Sequence, residues 1–592
     1  MSSCARRLSW FAGFLPLTAA AVGDLPAQTA CANTAAYSPC EMVFNLTDAD
    51  AARYPDPYKD VNLQVEFRSP HQRTFAIPAF WDGARKLVAR FAPTEAGQWD
   101  YLVNSNIAAW NGKTANFTAA VSDSPGFIRP ANVHHWAYTE KSANGIERAH
   151  LWMGAAQLDL ASLDDAAFRS LADMRAAQKF NHLRFLVLDG KGASAERPDP
   201  AHYRRIDERI AYLNQKGIVA DLILASDPAT LVRLFPTPED RRRFTRYVFG
   251  RYDAFNVTWQ AVNQFEDDPD ARAIIKEIGE VLKTDGYEHP RTSGARVTSA
   301  PLLDDKWMNY SAQGASDDTV GSIEHQLYPV PFVNLASAPA ADAAALRRQL
   351  WNATMDGQYP TYSGSADPTA FSVWFDILSD TRHWELEPYF DLDGGRAVAL
   401  EGVEYLIYIE KPGPLELRLE KHGYDVLWIN PIDGEVTRRK FNGDHFTGEP
   451  PDKSHDWVLH VVREGRLESM NRSYKLASRD ILMQEIEVVP DKTPFEIEQP
   501  PMAADVKVGQ PVAYAAKIKR DSRATRSMMW MWTGEVAADG LGYRVLGTGA
   551  TGTFTPPPTL AKNYPAVLNV RMYAMNGNGK VYALDRVLQL SR

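Results

Sequence analysis

Three carboxylates stand where a strand-like run hands over to a loop. Asp189 ends "RFLVLDG", Asp227 ends "LILASD", and Glu266 closes the run "FNVTWQAVNQFEDD" (Phe255–Asp268). A carboxylate in such a place can take or give a proton once its surroundings tune it. Amides gather in the same run: Gln260, Asn263 and Gln264. An amide hydrogen-bonds through both of its ends but gives up no proton near neutral pH. Burying it unpaired is costly, so Gln260 and Asn263 predict a polar pocket at the end of that strand. Glu266 lies two residues beyond Gln264, so in an extended strand both side chains point the same way. Each carboxylate also has a plainer use as a helix N-cap or a solvated loop group. Asp227, before "PATLVRLF", fits an N-cap well. Asp317 and Asp318, after "YSAQGAS", carry the same two readings on another loop.

The elements that must position these groups alternate along the chain. From His134 to Gly364, apolar strand-like runs such as "NHLRFLVLD" and "IVADLILASD" are separated by amphipathic helical runs such as "DDAAFRSLADMRAAQKF" and "YRRIDERIAYLNQKG". Nearly continuous apolar strands suit a parallel sheet covered on both faces. Roughly eight such units in about 230 residues match a (β/α)8 barrel. A doubly wound sheet is the competitor, but no Gly-rich phosphate loop follows the first strand. In a barrel, Asp189, Asp227 and Glu266 come to the C-terminal strand ends, where this fold does its chemistry. Around the barrel the pattern is all β. Residues 40–125 alternate apolar and polar residues between Pro, Gly and Asp turns, and predict a β-sandwich before a barrel at 132–380. Residues 385–490 and 495–592 read as two further β domains, the last immunoglobulin-like. "TRHWELEPYFD" joins barrel to sandwich, with Trp384 and Pro388 as interface packing.

The 592 residues are too many for one core. A net charge of −10 argues against nucleic acid as the main partner, because phosphate binding needs a basic face. The N-terminal "ARRLSWFAGFLPLTAAAVG" has two arginines, an apolar run from Leu8 to Val22 and then small residues. That predicts an export leader within about residues 1–30, and a periplasmic or extracellular protein. No later segment is apolar over the ~18 residues a membrane span needs. Of three cysteines, Cys4 leaves with the leader. Cys31 and Cys40 can close a disulfide in an oxidising compartment. Lipid anchoring of Cys31 is the alternative, which "QTAC" fits poorly. With no CxxC and no HExxH, neither a metal site nor a cofactor is expected.

Three stretches carry a family resemblance. "FWDGARKLVARFAPTEAGQWDYLV" (Phe80–Val103) resembles the β-sandwich of unknown function that precedes many bacterial barrel glycosidases. "LRRQLWNATMDGQYPTYSG" (Leu346–Gly364) resembles the last helix and strand of apiosidase-like glycoside hydrolases. "VLWINPIDGE" with "PPDKSHDWVLHV", within Val426–Val461, resembles the trailing module that carries the name "collagen-binding domain of a collagenase". The resemblance spans most of residues 40–490. It implies hydrolysis of a glycosidic bond between two carboxylates, one after strand four and one after strand seven, and a polysaccharide or oligosaccharide as partner. At those positions this chain has Gln264, five residues after Trp259, and Ala336 within "PFVNLASA". If the protein hydrolyses glycans, Glu266 is the natural acid, with Asp189 or Asp227 as partner. The resemblance also makes Trp259, Tyr310, Tyr328 and Tyr362 candidates for stacking on sugar rings, with core packing as the alternative. Gln260, Asn263 and Gln264 become candidates for sugar hydrogen bonds, and His325 a cleft residue or a surface histidine. Three readings follow: an exported glycoside hydrolase, a barrel that binds glycan without cleaving it, and a surface adhesion protein.

Overall fold

A computed structural model describes residues 31–592, apart from 143–144, 189–196, 269, 285, 315–317, 336–338, 467–482, 484–485, 487, 489–491, 523 and 537–542. Eight parallel strands form its central sheet. They are β1 (Gly154–Ala156), β2 (His182–Leu186), β3 (Val219–Ala225), β4 (Val257–Val262), β5 (Arg291–Thr292), β6 (Ser311–Gln313), β7 (Phe332–Asn334) and β8 (Gln358–Tyr362). The pairing runs β5-β4-β3-β2-β1-β8-β7-β6, and one bridge between Thr298 and Gln313 spans the remaining side. This is a (β/α)8 barrel with the helices outside. They are α1 (Asp165–Ala177), α2 (Pro200–Gln215), α3 (Pro228–Leu234), α4 (Pro238–Tyr252), α5 (Ala271–Leu282), α6 (Asp318–Leu327), α7 (Ala343–Met355) and α8 (Thr369–Ser379).

The local signals explain these elements. Every residue of β3 and of β4 is buried, as strands covered on both faces require. Asp164, Asp199, Asp227, Thr237 and Asp342 each accept a backbone N–H in the first turn of the helix that follows. These side chains satisfy amides that have no partner within the helix. The stretch "RTSGARV" forms only two residues of strand. Gly294 still donates to the Val262 carbonyl of β4 at 2.8 Å, and a Cβ there would lie 2.4 Å from the Asn263 carbonyl and 2.7 Å from Arg184 Nη2, so only a residue without a side chain fits.

The barrel is flanked by β domains. Ahead of it, sheets of three and four antiparallel strands between Cys40 and Ala119 face each other. Their core holds Trp99 and stacks Phe67 on Phe91 at 3.9 Å. The Cys31–Cys40 disulfide closes the entry to this domain. A hairpin, Ile128–Ala131 with His135–Tyr138, then leads into the barrel and packs Trp136 against Trp152 and Tyr310. Behind the barrel, a seven-stranded sheet spans Glu387–Arg463, and two sheets between Phe495 and Ser591 form the last domain. Among the described residues no helix is long and apolar enough to cross a membrane.

Candidate ligand-binding face of the barrel

Alternation along the strands decides which side chains enter the barrel. On β4, Thr258 and Gln260 point inward and Trp259 points out, where its indole donates to Asp253 Oδ1 at 3.3 Å beside Phe249. On β2, His182 and Arg184 point inward. The N-terminal layer of the interior is a closed polar chain. His150 Nε2 meets His182 Nε2 at 2.8 Å, and His182 Nδ1 meets Asp221 Oδ1 at 2.8 Å. Thr258 donates to the same Asp221 oxygen, and the Trp152 ring lies on His182 at 3.4 Å. Burial, and then the neighbouring His182, hold His150 well below the usual imidazole range, so its ring stays neutral. All of these groups are sealed from solvent.

One layer higher, Arg184 is the central group. Its Nε donates to Gln260 Oε1 at 2.7 Å and its Nη2 to Asn263 Oδ1 at 2.7 Å. Gln260 Nε2 in turn reaches the Tyr310 hydroxyl at 3.5 Å. Among the described residues no carboxylate pairs with Arg184. Its Nη1 makes no hydrogen bond there, yet it is not one of the sealed unpartnered atoms. Burial lowers the guanidinium to about 10, which leaves it a cation at neutral pH. Sequence reasoning missed Arg184, which sits inside "NHLRFLVLD" and reads as part of an apolar strand. Its signal was a long cation in a run whose other residues are core formers, since such a charge must find partners.

The structure brings some sequence candidates together and separates others. Gln260 and Asn263 find their partner within the protein, each accepting from the Arg184 guanidinium. Gln264 is exposed at the rim, and its backbone N–H donates to the Ser226 carbonyl. Glu266 turns away to the loop after β5, where its Oε1 accepts the backbone N–H groups of Arg296 and Val297 at 2.7 and 2.8 Å. Asp227 is the N-cap of α3, accepting from Thr230 N at 2.6 Å and from Ser226 Oγ at 2.8 Å. Burial works to raise its carboxyl, but that amide and the hydroxyls of Ser226 and Thr230 hold it below the usual range. Asp189, Asp317 and Ala336 lie outside the described residues, and Asp318 pairs with Arg396 at 3.0 Å.

Four aromatic or imidazole candidates lie away from the rim, each for a packing reason. Trp259 belongs to the helix layer. Tyr362 does too, beside Phe180 and Phe371, with its hydroxyl donated to the carbonyls of Gly364 and Ala366. Tyr328 follows α6, and Tyr573 and Arg571 of the last domain lie near it. His325 is buried beside Phe332, the first residue of β7, which puts it at the N-terminal end of the barrel. Tyr310 is inside the barrel but fully buried, within a group of tryptophans.

Comparison with known proteins gives the fold a context. Residues 33–106 match a family model described as a domain of unknown function, DUF5060. No curated protein sequence matches the chain. A crystal structure provisionally described as a glycoside hydrolase of Bacteroides vulgatus ATCC 8482 superposes with a TM-score of 0.61 at 19% identity. The match covers 73% of this chain and all of that one. An endo-1,4-beta-mannanase of Rhizomucor miehei aligns with a TM-score of 0.35 at 12% identity, over 43% of this chain and all of its own. A family 2 glycosyl hydrolase of Bacteroides cellulosilyticus DSM 14838 aligns at 0.31 and 9%, over 95% and 78%. The chain thus has a glycoside-hydrolase-like barrel fold carried between β domains.

Proposed function

We infer that this protein binds a glycan at the C-terminal face of its barrel and does not cleave it by the two-carboxylate route. The observation that carries this reading is the commitment of the described carboxylates. Glu266 is spent on two backbone amides and Asp227 on a helix N-terminus. What stands at these strand ends is a buried cation held by amides: Arg184 with Gln260 and Asn263, next to the exposed Gln264. Guanidinium and amide groups donate to sugar oxygens but move no proton at neutral pH. The likeness to a structure described as a glycoside hydrolase supports carbohydrate as the ligand class. The export leader and the Cys31–Cys40 bridge support a protein working outside the cytoplasm.

A second reading keeps hydrolysis and places the acid at Asp189, directly after β2. It draws on the fold likeness over 73% of the chain. The apiosidase-like and collagen-module resemblances belong with either reading and choose no sugar.

The test compares binding of oligosaccharides by wild type and three variants, using calorimetry. Arg184→Gln and Asn263→Ala should each weaken binding at least tenfold, through the loss of a charged or bifurcating donor at the cleft floor. Glu266→Gln should leave binding within twofold. Equal affinities in all four proteins would place the glycan elsewhere.

A further inference from the structure

At the N-terminal end of the barrel, three imidazoles from two distant parts of the chain close on one carboxylate from a third. His134 comes from the hairpin that enters the barrel, and His325 from the last turn of α6. Glu387 comes from the first strand of the sheet behind the barrel. His134 Nδ1 lies 3.0 Å and His325 Nε2 3.5 Å from Glu387 Oε2. His135 Nε2 lies 3.3 Å from the other oxygen, Oε1. The ligand atoms of His134, His325 and Glu387 all fall within 4.8 Å of one another. We propose that these residues hold a divalent metal ion, with zinc as the best fit, and that the ion fastens hairpin, barrel and sandwich together.

Three features separate this cluster from a simple imidazolium–carboxylate pair. A proton shared by His134 and Glu387 accounts for their contact, but leaves both ring nitrogens of His325 buried without a hydrogen bond. His135 Nε2 and Glu387 Oε1 are also buried and unbonded. Buried polar atoms normally find partners, and an ion here would supply one to His325 Nε2, the ring nitrogen that faces Glu387 Oε2. Next, the outer nitrogens of His134 and His135 are already set. His134 Nε2 lies 3.1 Å from the Tyr328 carbonyl, so it carries the hydrogen and Nδ1 turns a lone pair to the cluster. His135 Nδ1 is held by the Tyr359 hydroxyl at 2.8 Å. Metal-bound histidines are oriented in this way by a carbonyl or another polar group on the far nitrogen. Finally, the space is kept by a residue without a side chain. A Cβ at Gly357 would stand 2.4 Å from His325 Nε2, and its φ of +74° is itself a glycine conformation.

The ligand set selects the ion. Neutral imidazoles with one carboxylate suit zinc and its transition-metal neighbours, whereas calcium and magnesium prefer all-oxygen shells. Ligands at zinc's usual distance of about 2.0–2.1 Å in a tetrahedron sit ~3.4 Å apart. The 3.0 and 3.5 Å separations here bracket that edge. The atoms within reach of one ion are those of His134, His325 and Glu387, so a water takes the fourth position. The site is far from the cleft residues, so its role is structural.

The experiment uses the full mature chain without a histidine tag. After chelator dialysis, zinc is titrated by calorimetry, and bound zinc is counted by elemental analysis after desalting. The expected result is one zinc per chain and a Tm raised by several degrees in excess zinc. Cobalt in place of zinc should give a visible absorption of nitrogen–oxygen ligation. His325→Phe fills the same space without a ligand atom, and with Glu387→Gln it should lose the zinc while keeping the circular dichroism of the metal-free wild type. Wild type that retains no stoichiometric zinc and shows no change in Tm would overturn the proposal, whatever the variants do. Equal zinc in wild type and in folded His325→Phe would overturn it as well.

Discussion

At the scale of single residues, the candidate site turns on what each polar group is already bonded to. Glu266 was legible as a carboxylate near the strand end, but its orientation was not. A two-residue offset puts two side chains on one side only while the strand stays extended, and the extended run ends at Val262. Beyond it the chain turns, and Glu266 finds the amides of residues 296 and 297. Glu266→Ala should therefore cost about 1–2 kcal/mol in chemical denaturation, as charged hydrogen bonds to amides do, with glycan affinity unchanged. Asp253 makes a second residue-scale prediction. Burial raises its carboxyl to about 7, and its Oδ2 has no partner. Below about pH 4 both folded and unfolded chains hold that proton. As pH rises to 7 the unfolded chain ionises first, so this group's contribution to stability falls across pH 4–7. Burial takes His289 down to about 4, and its contribution runs the other way over the lower part of that range. Asp253→Asn keeps His289 and removes the carboxyl. Denaturation at several pH values should show wild type losing a few kcal/mol against this variant between pH 4 and 7.

Elements were the most readable scale. The largely apolar, fully buried β3 and β4 and the capped helices are signals that act within ten residues, and no tertiary context overrides them. Asp227 shows the same locality, since the Pro and the apolar run that follow it already specify an N-cap. The sequence was least readable where a close approach depends on distant residues. Gly294 of "RTSGARV" donates to the Val262 carbonyl and passes the Arg184 guanidinium that β2 supplies, where only a residue without a side chain fits. The His134, His325 and Glu387 cluster was invisible for the same reason. Its ligands lie 191 and 62 residues apart in the chain (325 − 134 and 387 − 325), with no spacing motif to join them.

Across the whole molecule, buried ion pairs bind the β domains to the barrel. Arg90 of the first sandwich pairs with Glu41 at 2.6 Å and with Asp207 of α2 at 3.0 Å. Arg251 of α4 pairs with the same Asp207 at 2.6 Å and with Asp82 of the sandwich at 3.1 Å. Removing Arg251 leaves Asp207 with Arg90 and Asp82 with Lys86 and Arg204, so the cost is that of the charged hydrogen bonds lost, about 1.5–3 kcal/mol. Arg251→Met should lower the stability by about that amount and split a single calorimetric transition in two, with the sandwich melting first. Behind the barrel, Arg347 of α7 holds Asp456 at 2.6 Å and so fixes the second sheet to the helices. These contacts make the flanking domains part of one frame around the cleft.

The central claim is that this frame presents a glycan site without a working acid pair. The direct measurement is reducing-end release from a panel of plant, algal and bacterial polysaccharides, with binding recorded on the same substrates for wild type and Glu266→Gln. The account expects saturable binding and no release in either protein. Release by wild type that disappears in Glu266→Gln would contradict it, and would make Glu266 the acid of an active glycosidase.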